Sequence, residues 1–168
     1  MDDEGQWLDE LYRETGPHLL RYFLQRLGDA HAAEDLLQET FAAALRNPDR
    51  VRRAASARAY LFGIARNLAV SAHRRRRDTE PVPDDLAKED APADPKLALL
   101  REAIDRVKPE FREAIELRLQ HELSYDEIAE TLGVPVGTVR SRLHYAVNEL
   151  RRALQHTDTD LAARKIDL

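Results

Sequence analysis

From Trp7 to Leu27 apolar residues recur at steps of three and four (Leu8, Leu11, Tyr12, Leu19, Leu20, Phe23, Leu24, Leu27), the spacing that lays them along one side of an α-helix. Gly16-Pro17 predicts a break or kink inside this stretch, giving one or two helices, and Gly28-Asp29 predicts its end. A third helical pattern runs from about Ala32 to Arg46, with Ala33, Leu36, Leu37, Thr40, Phe41, Ala44 and Leu45 on one side. It stops before Asn47-Pro48, because the residue preceding a proline is pushed out of the helical region, and a polar loop is expected after it. A fourth helix starts near Ser56, turns Leu61, Ile64, Ala65, Leu68 and Ala72 inward and runs into His73-Arg74-Arg75-Arg76-Arg77. Residues 1–77 therefore read as one helical module.

Residues 78–95 hold four prolines and seven acids with little to bury, the composition of an extended, flexible linker. The apolar rhythm resumes with Leu97, Leu100, Ala103, Ile104 and Val107, restarts at Pro109, which suits a first helical turn, and continues through Ile115 and Leu119. The most specific local pattern follows. Ser124 and Glu127 stand as a capping box, Ile128, Ala129 and Leu132 face inward, Gly133 permits a tight turn, and Pro135 opens a helix with Val139, Leu143, Ala146, Leu150 and Leu154 on one stripe. That makes residues 96–155 a second module containing a helix-turn-helix. Residues 156–168 form a tail without a firm signal. The fold class expected is all-α, two small helical domains joined by a flexible acidic linker.

Composition supports this picture: 43% hydrophobic, 34% charged and only 6% aromatic residues in 168 suit amphipathic helices better than sheets. The absence of cysteine removes disulfides, thiolate metal sites and a cysteine nucleophile. No apolar run approaches the roughly 18 residues that span a bilayer, and the acidic amino terminus lacks a signal peptide's basic start; a cytoplasmic protein is expected. The net charge of −5 hides a division along the chain. Residues 1–49 carry eleven acids against four arginines, residues 50–77 nine arginines and no acid, and residues 78–95 seven acids against one lysine. Local charge density, not the total, governs binding to a polyanion.

Three surfaces carry candidate chemistry. The polar side of the last helix presents Gly137, Thr138, Arg140, Ser141, His144, Tyr145, Asn148, Arg151 and Arg152: a small amino-terminal turn, donors for base edges, and arginines for phosphate, as a helix entering the major groove requires. Arg142 flanks the buried stripe, where packing and phosphate binding are both open to it. On the fourth helix Tyr60, Gly63, Asn67, Ser71 and Arg74 form a second stripe. An aromatic ring to stack on, an amide to read an edge, and the cations Arg74, Arg75 and Arg76 for the backbone are the parts of an unstacked-base site. On the third pattern Asp35, Gln38 and Glu39 project with Ala42 beneath them, a face that repels phosphate; from the residues alone a solvated acidic surface is the plainer reading. The six histidines never fall at metal-ligand spacing and no phosphate loop is present, so no catalytic residue, metal or cofactor is expected.

Taken together, AEDLLQETFAAALR at 33–46, AYLFGIARNLAVSAHRRRR at 59–77 and LSYDEIAETLGVPVGTVRSRLHYA at 123–146 resemble, in order and spacing, the extracytoplasmic-function sigma factors of bacterial RNA polymerase, over about residues 6–155. The resemblance implies a promoter-directing initiation factor and not an enzyme. It implies that Asp35, Gln38 and Glu39 dock on the clamp helices of the polymerase largest subunit. Tyr60, Asn67, Ser71, Arg74, Arg75 and Arg76 would lie at the single-stranded minus-ten element, with Asn67 and the loop before Tyr60 capturing a flipped base. Thr138, Arg140, Ser141, Arg142, His144 and Tyr145 would read the minus-thirty-five duplex. Core polymerase (clamp helices and flap), promoter DNA and an anti-sigma protein are the implied partners, and the acidic linker corresponds to the connector threading the polymerase. The family usually has Trp where Tyr60 stands, often Arg where Gly63 stands, and frequently Arg where Tyr145 stands. A ligand-sensing two-domain regulator would share the helix-turn-helix, but the Arg50–Arg77 block disfavours it. A pure interaction protein would bind no DNA.

Overall fold

The computed structural model describes residues 3–79 and 95–164, with side chains described for 6–78 and 101–155. Residues 80–94, most of the expected acidic linker, lie outside the described residues. Every regular element among the described residues is an α-helix: α1 (Asp3–Leu27), α2 (Ala30–Leu45), α3 (Pro48–Arg53), α4 (Ala57–Thr79), α5 (Pro95–Arg106), α6 (Pro109–Leu119), α7 (Tyr125–Leu132) and α8 (Val136–Arg164). The chain forms two compact units, the first built on α1–α4 and the second on α5, α6 and α8.

In the first unit α1, α2 and α4 pack against one another, with α3 bracing α2 and α4. The core is Leu19, Tyr22 and Phe23 of α1, Ala33, Leu36, Leu37 and Phe41 of α2, Val51 of α3, and Leu61, Phe62, Ala65 and Ala69 of α4. Tyr22 meets Phe62 edge-on at 5.7 Å between ring centroids, an arrangement that sets the positive edge of one ring against the other's π-face.

Of the one or two helices expected up to Leu27 a single one forms, α1 running through Gly16-Pro17: proline removes one backbone hydrogen bond, but the helix is held along its length by Leu11, Thr15, Leu19, Tyr22 and Phe23, all buried. Three details depart from the sequence expectation. First, Leu45, expected on the apolar side of α2, is exposed. Second, the polar loop after Asn47 is the short helix α3, in which Pro48 occupies the first turn and Val51 is buried; proline ends one helix and suits the start of the next equally well. Third, the inward stripe of α4 is rotated. Phe62 and Ala69 are fully or nearly fully buried, whereas Ile64, Leu68 and Ala72 are half-buried.

Helix ends are secured locally. Asp29 caps α2 by accepting the Ala32 N–H at 3.1 Å, and Ser56 caps α4 by accepting the Ala59 N–H at 3.1 Å. Gly28 has a φ of 63° immediately after α1.

The second unit packs α6 and α5 against α8. Its core includes Ala103, Val107, Ala114, Ile115, Leu117, Leu123, Ile128, Val139, Leu143, Ala146 and Leu150. Arg112 donates to the Asp105 carbonyl and, at 3.1 Å, to the Val107 carbonyl, closing the carboxyl end of α5. Beyond α6, Glu122 takes a φ of 56°, unfavourable for a residue with a Cβ. Arg118 holds this turn by donating to the Leu123 carbonyl at 2.9 Å. The expected tail is in helical conformation to Arg164, continuous with α8.

Candidate nucleic-acid interface

The turn between α7 and α8 aims the last helix. The Ser124 N–H donates to Glu127 Oε2 at 2.8 Å and the Glu127 N–H to Ser124 Oγ at 3.2 Å, the reciprocal pair that a capping box makes. At the other end of α7 the Val134 N–H reaches the Ala129 carbonyl at 3.1 Å and the Gly133 N–H the Glu130 carbonyl at 3.3 Å, with Gly133 at φ 64°. These two bonds with a left-handed residue form a Schellman closure. The chain then leaves through Pro135, whose carbonyl accepts from Thr138 and Val139 at 2.9 and 3.2 Å.

On α8, Val139, Leu143, Ala146 and Leu150 are buried. Gly137, Arg140, Ser141, His144, Tyr145, Arg151 and Arg152 are exposed, and Thr138, Arg142 and Asn148 are half-buried. Ser141 returns its hydroxyl to the Gly137 carbonyl at 3.1 Å. Asn148 Nδ2 lies 2.9 Å from His144 Nε2, and Arg151 donates to Asn148 Oδ1 at 3.4 Å. Tyr145 stacks on Phe111 of α6, ring centroids 5.5 Å apart and planes 17° from parallel, while the His144 ring stands edge-on to Tyr145 at 6.0 Å. Lys108 Nζ sits 5.8 Å from the Phe111 ring. Phe111 shapes this face without lying on it; the contact joins two helices, and no spacing within the sequence signals it.

On α4, Asn67, Ser71, Arg74 and Arg75 are exposed and Tyr60 and Gly63 half-exposed, opposite Leu61, Phe62, Ala65 and Ala69. A Cβ at Gly63 would meet nothing within 4 Å. Arg76 is turned toward the protein: Nη1 donates to the Leu27 carbonyl at 2.7 Å and Nη2 pairs with Asp29 Oδ2 at 3.3 Å. It thus ties the basic end of α4 to the corner between α1 and α2. The Asp29 carboxyl is held below the ordinary aspartate range, above all by the Ala32 N–H, with desolvation opposing and the His31 N–H, Arg76 and His31 adding. On α2, Asp35, Gln38, Glu39 and Ala42 are all exposed, opposite the buried Ala33, Leu36, Leu37, Thr40 and Phe41. Among the described residues no three histidine, aspartate or glutamate side chains gather as a cation site.

The two units coincide with two family models: Sigma-70 region 2 matches residues 11–79 and Sigma-70, region 4 matches residues 97–150. The ECF RNA polymerase sigma factor SigL of Mycobacterium tuberculosis is 35% identical over 161 residues, which cover 90% of this chain and 91% of SigL. The chain belongs to the ECF sigma factors. It is a transcription initiation factor that confers promoter specificity on RNA polymerase, and not an enzyme. The ECF sigma factor SigW of Bacillus subtilis is 31% identical across 77% of this chain and 79% of its own length. Among solved structures, the sigma factor RpoE of Bartonella quintana, in complex with the anti-sigma factor NepR, superposes with a TM-score of 0.69 at 28% identity, covering 89% of this chain and 97% of RpoE. No helix among the described residues is long and apolar enough to cross a membrane.

Proposed function

We propose that this sigma factor divides promoter recognition among three faces. The outward side of α8 (Thr138, Arg140, Ser141, Arg142, His144, Tyr145) reads the upstream minus-thirty-five duplex in the major groove. The outward stripe of α4 (Tyr60, Asn67, Ser71, Arg74, with Arg75) holds unstacked bases of the minus-ten element, and Arg76 braces the end of that helix. The acidic face of α2 (Asp35, Gln38, Glu39) docks on the clamp helices of the polymerase largest subunit, and the flap meets the second unit. Binding bases only once they are unstacked lowers the free energy of the open DNA relative to the closed duplex. The acidic segment 78–95 serves as the connector, an anti-sigma protein, as NepR is for RpoE, holds the factor silent, and the protein acts in the cytoplasm.

The observation carrying this reading is the division of α8 itself: every residue assigned to duplex reading is exposed or half-exposed, opposite four buried apolar side chains. Reconstituted transcription with core polymerase tests it. Arg140→Ala is expected to weaken upstream duplex binding by about tenfold, the worth of one good base contact, with helicity unchanged. Tyr60→Ala with Asn67→Ala is expected to keep duplex binding and lose strand opening. Glu39→Arg is expected to lose polymerase recruitment. Unchanged promoter affinity in Arg140→Ala refutes the duplex assignment, and unchanged permanganate reactivity in the α4 variant refutes the single-strand assignment.

A further inference from the structure

The exposed side of α8 holds a chain of contacts whose polarity can be deduced. A guanidinium only donates, so Asn148 Oδ1, 3.4 Å from Arg151 Nη1, is the acceptor. The amide's other end, Nδ2, is a donor and faces His144 Nε2 at 2.9 Å. Nε2 must then be an acceptor, which places the proton of the neutral ring on Nδ1. The ring is also braced from the side by Tyr145, itself stacked on Phe111.

We infer that Asn148 and Arg151 are positioning residues that lock His144 as an Nδ1–H donor, making it a one-sense reader of the duplex edge. The inference rests on the assignment of α8 to the upstream duplex. A neutral imidazole free in water favours the opposite tautomer, with the proton on Nε2. The lock therefore changes what the residue can recognise. With Nε2 occupied by Asn148, the ring offers the major groove a donor and no acceptor. Guanine presents two acceptors there, N7 and O6, and thymine O4 presents one, whereas cytosine presents the N4 amino group, a second donor. A lone donor is satisfied by guanine, by thymine, or by adenine through its N7, so His144 accepts these three and refuses cytosine at the base it meets.

Two measurements on the full chain test this. In the free protein, side-chain ¹⁵N spectra, with the His144 signals assigned by their loss in His144→Ala, are expected to show the neutral ring protonated at Nδ1. In Asn148→Ala the signals are expected to move to the Nε2–H pattern. A wild-type Nε2–H ring overturns the lock without DNA entering the experiment. In the second measurement, duplexes randomised upstream are selected with the chain assembled on core polymerase. One position is expected to disfavour cytosine by about fivefold, the worth of a single net hydrogen bond. Asn148→Ala and His144→Ala are each expected to flatten that same position, and the double variant to add nothing further. If Asn148→Ala instead weakens all sequences equally, or still changes the preference when His144 is absent, the positioning role is refuted. Loss of selectivity in Arg140→Ala alongside an unaffected cytosine position refutes the lock while leaving the duplex assignment standing. No selection by the wild-type chain at any position refutes both.

Discussion

Replacing Phe62 with alanine probes the side chain that joins the fold of the first unit to its outward face. Phe62 is fully buried on α4, two residues from Tyr60 and one from Gly63. Truncating a buried phenylalanine removes its transfer free energy and leaves a cavity that the surroundings only partly fill, about 3–5 kcal/mol together. The edge-on contact with Tyr22 contributes about 0.5–1.5 kcal/mol beyond area, which keeps the expected loss away from the low end of that range, at about 4 kcal/mol. At about 1.4 kcal/mol per tenfold, hydrogen exchange at core amides of α1 and α4 is expected to accelerate by roughly a thousandfold. Phe62→Leu keeps most of the volume and is expected to cost about 1 kcal/mol. Exchange measured by mass spectrometry on the full chain, resolved by peptide, decides the matter. If α1 and α4 peptides in Phe62→Ala accelerate by less than tenfold, the ring is not a principal element of that core. If Phe62→Leu costs as much as Phe62→Ala, cavity formation is the wrong account.

Gly133→Ala is expected to lower stability by about 1 kcal/mol, because φ is 64° while a Cβ there meets nothing within 4 Å; a chemical denaturation series that includes Gly133→Asn, expected to cost less, checks that the penalty is torsional. Ser124→Ala removes one half of the capping box and is expected to cost about 1 kcal/mol, seen as faster exchange in the first turn of α7, with no effect counting against the cap. Asp29 has a lowered pKa in the folded chain, so its cap contributes stability above the ordinary aspartate value and loses it as pH falls through the lowered folded value. Exchange at Ala32 is therefore expected to lose protection on acidification in that window, relative to Asp29→Asn, and parallel pH profiles for the two chains refute the linkage.

Much of this was legible because it is local. The capping box at Ser124 and Glu127, the left-handed Gly133 and the exit through Pro135 are governed by residues within five positions of one another, and the structure forms the turn as the sequence predicts. Periodicity found most of the buried side of α2 and of α8, but Leu45, expected on the apolar side of α2, is exposed and Leu154 of α8 is half-buried. On α4 it missed Phe62 and Ala69, which are core alongside Leu61 and Ala65. Gly16-Pro17 left one helix or two open, and Pro48 was read only as the end of α2; α1 forms as a single helix and Pro48 also opens α3. The partners of Arg76 stand 49 and 47 residues away, and Phe111 belongs to a different helix from Tyr145. Sequence placed both arginine and tyrosine on a polar face; only the fold shows which neighbour each is committed to.

Gly63 sits in the middle of α4, where glycine costs a helix roughly 0.5–1 kcal/mol relative to alanine, and among the described residues no neighbouring atom approaches closely enough to demand so small a residue. That leaves an untapped reserve of thermal stability on the solvent side of the helix, open to an engineer through a single methyl group. Spending it tests compatibility with whatever occupies that side: a Gly63→Ala chain that melts later yet initiates normally would show room to spare, and one that melts later and initiates poorly would show that the missing methyl is clearance for a guest.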